Sequence, residues 1–277
     1  MNKPPLFAVF YLLLLILHTS AEESIQGFNF TQSVAASVNP PGFLLTTHFF
    51  YRLPLAKKAG ILWESTKFDA GICNDLSPAF ENPGLFIRCE PVAFFEITLN
   101  ANKIQLFKAF GSGYVSLDSS TSPHSASDLK NVSQSNEQGW WLRGTPVFKA
   151  AYKNLILANA TTVHYFQMNR EGFYLERFTN TTLDSKDFVI TNDLFFFYKC
   201  SSTLMTGINH SYLKVPSSNE RVHRISFAAV YLKKFSKSTG FNVALMGGTY
   251  LKHLTYNYKD PFVGLQLQYS YGLTKPN

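Results

Sequence analysis

Five charged residues form the pattern in this chain with the most chemical potential: Lys67 and Asp69, Arg88 and Glu90, then Glu96. Residues two apart on an extended strand point to the same face. The spacing therefore gathers mixed charge on one side of two strands that a turn would make neighbours. Carboxylates held beside cations can be tuned for acid–base work, although purely structural ion networks perturb them in the same way. In a narrow barrel, whose interior is filled by side chains, a paired charge cluster that plugs the lumen is the expected outcome.

A hydrolytic serine needs a histidine base within hydrogen-bond reach. Asn209-His210-Ser211 contains the one adjacent His and Ser in a strand-like region. Consecutive strand residues face opposite ways, so His210 is poorly placed to activate Ser211. Ser217, Ser218 and Ser226 are its alternatives across a turn. His223 and His253 stand alone in sequence. Cys-x-x-Cys, His-Glu-x-x-His, a Gly-rich phosphate loop and an EF-hand loop are all absent from the sequence. No catalytic residue, metal site, cofactor or nucleic-acid partner is expected.

Cys73, Cys89 and Cys200 make an odd count, so they cannot all pair within one chain. Cys73 and Cys89 flank a turn expected near 77–84. Cys73 shares parity with Lys67 and Asp69, however, and Cys89 with Ile87 and Ile97. Directly opposed residues of an antiparallel pair share a face, so joining these two would require a bulge.

The elements that must position these groups are strands. From Phe262 to Leu273 the chain alternates without a slip: Val263, Leu265, Leu267, Tyr269, Tyr271 and Leu273 on one face, Gly264, Gln266, Gln268, Ser270 and Gly272 on the other. That period is two, not 3.6. Similar segments punctuated by turn residues predict strands near 43–53, 61–76, 85–101, 103–117, 141–156, 158–169, 172–180, 187–200, 202–214, 223–235, 241–254 and 262–273. Pro91 lacks an amide donor and predicts a bulge or bend within 85–101. The polar stretch 119–138 reads as a long connection. Trp140, Trp141, Tyr256, Tyr258 and Phe262 are candidates for an aromatic girdle.

The compartment follows from the start of the chain. Lys3, the apolar run Leu6 to Leu17 and the small residues Thr19-Ser20-Ala21 read as a cleaved signal peptide, too short for a spanning helix of about 20 residues. No later stretch is long and apolar enough to span as a helix, so insertion would use strands. The 277 residues carry a formal charge of +7, but only 16% are charged while 16% are aromatic, including 26 Phe and 14 Tyr. Low charge with abundant aromatics suits strands that touch lipid, and the basic surplus suits anionic headgroups such as lipopolysaccharide.

The segment Leu62-Trp-Glu-Ser-Thr-Lys-Phe-Asp-Ala-Gly71, with Leu76-Ser-Pro-Ala-Phe80 and Glu90-Pro-Val-Ala-Phe-Phe-Glu-Ile97, resembles a group of uncharacterised Gram-negative outer-membrane β-barrel proteins. The resemblance implies a barrel in the outer membrane and brings neither an activity nor functional residues. The chain departs from the group's pattern by continuing past Tyr271 to Asn277.

The expected organisation is a signal peptide at 1–21, a periplasmic segment at 22–41, an all-β antiparallel transmembrane barrel at 42–273, and a tail at 274–277. The barrel should have twelve strands, or ten if short neighbours merge. Its expected role is structural or narrow-pore, with Lys67, Asp69, Arg88, Glu90 and Glu96 inside and outer-membrane lipid as its partner. A lipid-modifying outer-membrane enzyme and a soluble, secreted, lipocalin-like β protein are the alternatives.

Overall fold

In a computed structural model, the described residues are 26–39, 41–55, 65–108, 113–120, 132–236, 239–253 and 260–273. The expected signal peptide at 1–21, the tail 274–277, Tyr256, Tyr258 and most of 119–138 lie outside them. Among the described residues sixteen strands follow in order: β1 Gly27–Val38, β2 Gly42–Pro54, β3 Lys67–Leu76, β4 Phe80–Val92, β5 Phe95–Leu106, β6 Tyr114–Leu117, β7 Gln134–Ser135, β8 Glu137–Tyr152, β9 Leu155–Met168, β10 Phe173–Glu176, β11 Thr181–Leu183, β12 Lys186–Lys199, β13 Leu204–Val215, β14 Glu220–Lys234, β15 Thr239–Lys252 and β16 Pro261–Gly272.

Twelve of these close into an antiparallel ring in the order β1-β16-β15-β14-β13-β12-β9-β8-β5-β4-β3-β2. The seam joins β1 to β16 in continuous register from Asn29↔Gly272 to Val38↔Val263. Closure pairs every strand edge, which is the one arrangement in which a sheet leaves no open ladder of amides and carbonyls. The remaining strands, β6, β7, β10 and β11, form a small sheet of their own. Its strands lie between β5 and β8 and between β9 and β12 in the chain. Because ring strands alternate in direction, both connections emerge at the end opposite to that where β1 starts and β16 finishes. The small sheet therefore caps that mouth.

Several expected boundaries change. The segment 22–41 does not precede the barrel: its residues 27–38 are β1, a full ring strand. The expected strand 85–101 straddles a turn at Ala93-Phe94, so it is the end of β4 and the start of β5. The expected strand 103–117 joins the end of β5 to β6 of the cap, and 172–180 is β10 with its following turn. Pro91 does sit at an irregularity, since the β4–β5 register shifts between Cys89 and Val92.

Inward and outward faces alternate along each ring strand. On β16 the even residues Phe262, Gln266 and Gln268 are buried inside, while Val263, Leu265, Leu267, Tyr269 and Tyr271 are exposed outside. The outer surface is apolar around the ring, with Leu85, Leu99, Leu142, Leu157, Leu194, Ile208, Phe227 and Leu245 all exposed. Near the end holding the strand termini, Phe28, Phe148, Tyr152, Tyr198, Tyr231 and Tyr271 form an outward aromatic band. Trp140 belongs to the outer surface near the opposite end, whereas Trp141 and Phe262 point inward and are 1% exposed. The expected girdle is thus corrected by parity, since Trp140 and Trp141 are consecutive and cannot share a face.

Candidate functional site

The five charged residues singled out by spacing meet inside the barrel, near the end holding the strand termini. Antiparallel register sets Arg52 beside Asp69, Asp69 beside Arg88, and Lys67 beside Glu90. Asp69 receives Arg52 through two contacts, Nε to Oδ1 at 2.8 Å and Nη2 to Oδ2 at 3.0 Å, and faces Arg88 at 3.6 Å. Glu90 pairs with Lys67 at 3.2 Å and with Lys149 at 3.7 Å. Glu96 pairs with Lys149 at 2.8 Å and with Arg88 at 3.9 Å. Two further groups complete the cluster, Arg52 on β2 and Lys149 on β8. Spacing alone did not reveal them, because each is a single charge whose partners come from other strands.

Every carboxylate here faces two cations, and the Arg52 and Arg88 guanidinia also lie over the rings of Phe50 and Phe86 at 5.3 and 5.7 Å. Each negative charge is thus matched by more than one positive neighbour, and none is left alone in the wall. What the arrangement does well is fill a narrow lumen with mutually neutralised charge. Gly71 makes room for it: an added Cβ would lie 2.1 Å from the Phe49 carbonyl oxygen and 2.6 Å from Phe50 Cα. Phe50 and Phe86 therefore approach to 5.7 Å across that position.

Above the charges lies an aromatic and amide layer. Trp141 Nε1 donates to His164 Nδ1 at 3.1 Å, and the two rings stack at 5.6 Å. The Arg143 guanidinium sits 4.6 Å over the Trp141 ring, and its Nε donates to Asn100 Oδ1 at 3.3 Å. Cys73 accepts from Asn102 Nδ2 at 3.5 Å. On the opposite wall Arg224 lies 4.2 Å over the Phe262 ring, near inward Asp193 and Asn209. Below them Phe195, Phe197, Met205, Val230 and Met246 pack as an apolar cluster.

The cap reaches into the mouth and packs on the wall there. Phe178 leaves the small sheet and packs on Trp141 at 4.8 Å and Phe80 at 6.4 Å. Tyr114 and Tyr174 stack at 5.3 Å between β6 and β10. Glu176 holds the turn by accepting from the Phe178 and Thr179 amides and the Thr179 hydroxyl, and Asn180 supplies the positive φ of 53°. Burial raises the Glu176 carboxyl above its ordinary value, a shift that these donors oppose. Burial also lowers Arg177 to about 10, and its Nη2 donates to the Gly113 carbonyl at 3.3 Å.

The hydrolytic pair does not assemble. His210 lies on the outward face of β13 with Tyr212, while Ser211 points inward with Asn209. Ser226 is also inward, Ser217 donates to Asp187, and Ser218 accepts from the Glu220 amide at 3.4 Å. Cys73 is buried inside, Cys89 faces outward and Cys200 is exposed in the turn after β12; all three are free. Among the described residues no group of three or more His, Cys, Asp or Glu is placed to hold a metal ion.

Neither a family model nor a curated protein matches the chain. Among solved structures, the translocator domain of the autotransporter NalP from Neisseria meningitidis overlaps 91% of this chain and 90% of its own, at 9% identity and a TM-score of 0.47. An outer membrane channel from Pseudomonas putida F1 overlaps 90% of this chain and 97% of its own, at 10% identity and a TM-score of 0.44. The NanC porin overlaps 88% of this chain and 100% of its own, at 9% identity and a TM-score of 0.40. Overlaps this loose carry no functional weight. The closed ring rests on its own strand pairing.

Proposed function

We propose that this chain is an outer-membrane β-barrel of structural or narrow-pore type, whose lumen is closed by the charge network at one end and by the cap at the other. The observation that carries the reading is the inversion of the wall, with ion-paired Lys67, Asp69, Glu90 and Glu96 buried inside and large apolar side chains exposed outside around the ring. A soluble monomer rarely exposes a contiguous apolar patch above a few hundred Å², so the lipocalin-like alternative would leave this surface without a solvent. In hydrocarbon the same surface is at home, and a closed ring satisfies every ladder amide internally. The outward aromatic band fits a headgroup interface. The basic leader and apolar run at 1–21 fit export across an inner membrane.

Bacterial barrels have short periplasmic turns and longer external loops. That rule puts the cap outside the cell and the ends of β1 and β16 in the periplasm. The test is membrane fractionation with heat-modifiable gel mobility, followed by conductance in planar bilayers. Recovery with the outer membrane, a mobility shift on heating and small or no conductance are expected. Recovery in aqueous extract without a shift would overturn the reading.

A further inference from the structure

We propose that the outward faces of β13, β14 and β15, at the capped end, form a site for the phosphate-bearing headgroup of an outer-leaflet glycolipid, an inference that rests on the outer-membrane reading above. Lys214 and Arg221 are direct cross-strand partners. Both point outward, because Leu213 and Val215 on one side and Val222 and Arg224 on the other turn in. The β14–β15 register slips between His223 and Arg224, which breaks the alternation after inward Tyr250 and sets exposed Lys252 opposite outward His223, itself paired with Tyr212. The His223 ring lies 4.7 Å from Tyr212 and 6.0 Å from His210.

Like charges directly opposite one another destabilise an antiparallel pair. Two carboxylates described at the neighbouring strand ends point the other way: Asp187 and Glu220 are inward and 5% exposed, engaged by the Ser217 hydroxyl and the Thr182 amide. The Arg221 guanidinium donates to a neutral group, Asn219 Oδ1, at 3.2 Å. In sequence the connection 253–260 has one acid, Asp260, set against His253 and Lys259. The other rim also carries lysines, but there Lys233 is opposite Phe241 and Lys234 opposite Gly240. Opposed cations are thus a feature of the capped end in this part of the wall.

An anion placed between Lys214 and Arg221 converts their repulsion into two charge-assisted contacts, and guanidinium and ammonium donors suit phosphate oxygens. Three neighbouring strands cover about 10 Å, wider than one phosphate. The site therefore fits a headgroup bearing two phosphates, whose acyl chains would lie along the apolar wall below, beside Ile208, Ile225 and Phe227.

The experiment uses the full-length folded barrel in non-ionic detergent, with native mass spectrometry reading retained lipid. The probes are bis-phosphorylated lipid A, its dephosphorylated form, phosphatidylethanolamine and inorganic phosphate. Each cation near an anionic surface contributes on the order of fivefold in affinity, so Lys214→Gln with Arg221→Gln should weaken lipid A retention by roughly tenfold or more. Heat-modifiable mobility should persist in that variant. Should the double variant fail to fold, Lys252→Gln, at a strand end, should still lower retention severalfold.

Equal retention by wild type and variants, or retention of dephosphorylated lipid A as strong as that of the phosphorylated form, would overturn the proposal. Displacement of lipid A by millimolar inorganic phosphate would replace it with a free-anion site. A wild-type protein that shows no heat-modifiable barrel would instead overturn the outer-membrane reading itself.

Discussion

Arg52 clasps Asp69 with two parallel contacts of 2.8 and 3.0 Å between side chains that water barely reaches. The pair lies where a strand register brings together two positions far apart in the chain, and Arg88 closes on the same carboxylate from the other side. The first expected outcome follows from it. Removing one member of a buried ion pair leaves the other uncompensated, at a typical cost of about 3–5 kcal/mol. Asp69→Asn should therefore lower the unfolding free energy, read from urea transitions of the folded barrel in detergent, by about 3–5 kcal/mol, with a lower midpoint and an unchanged slope. Arg52→Met combined with Asp69→Asn should cost less than the sum of the single changes, because the two side chains are in direct contact.

The cap should respond to pH through Glu176. Its buried carboxyl binds a proton more readily in the folded cap than in an unfolded chain. Such an acid adds no penalty below the ordinary carboxylate range and its full penalty above its raised value. Cap stability therefore falls as pH rises between the two and is flat above. Hydrogen exchange in 169–185 should slow as pH is lowered into that window, after correction for intrinsic exchange, and Glu176→Gln should flatten the dependence. An unchanged slope in the Gln variant would assign the effect to another group.

Phe178 wedges the cap into the mouth, so its removal should loosen the seal. Phe178→Ala should raise single-channel conductance severalfold in planar bilayers if the cap limits flow, and should cost about 3 kcal/mol or more in local packing. If conductance stays at the wild-type level, the charge network around Asp69 and Glu96 is the tighter barrier. Phe178→Ala with Glu96→Gln would then be the variant to record.

The three thiols report orientation. Cys200 lies exposed in the turn after β12, at the end holding the strand termini; Cys89 faces the apolar exterior and Cys73 the interior. A membrane-impermeant maleimide should label Cys200 when the periplasm is opened and spare it in intact cells. Cys73 should react only on unfolding. Labelling of Cys200 in intact cells would reverse the assignment of the two ends.

Parity made much of this architecture legible. The alternation in β16 is reproduced residue for residue, and the lumen side of Lys67, Asp69, Arg88, Glu90 and Glu96 follows from spacing alone. The turn at Ala93-Phe94 leaves no mark in the alternation of the sequence. Even positions face inward both before it, at Arg88 and Glu90, and after it, at Glu96 and Asn100, so the alternation runs on as though no turn were present. β1 was hidden by small and polar residues, Thr31, Gln32 and Ser33, in the middle of its span. Outward Gln32 is satisfied by hydrogen bonds to Thr47 Oγ1 and the Thr46 carbonyl. Arg52, Lys149, Arg143 and His164 were invisible as site residues because their meaning lies in register, which a single strand does not encode.

The seam between β1 and β16 is chemically ordinary: its pairing is as continuous as any other in the ring, and the Leu273 amide donates to the Phe28 carbonyl at 2.8 Å. A ring has no privileged first member. Linking residue 273 to residue 27 with a short spacer and opening the chain at Lys153-Asn154, between β8 and β9, would give a circular permutant with every strand neighbour preserved. Synthesis would then begin at a different point on the same circle. The permutant would separate what the finished wall requires, which is indifferent to starting point, from what assembly requires of whichever strand is made last.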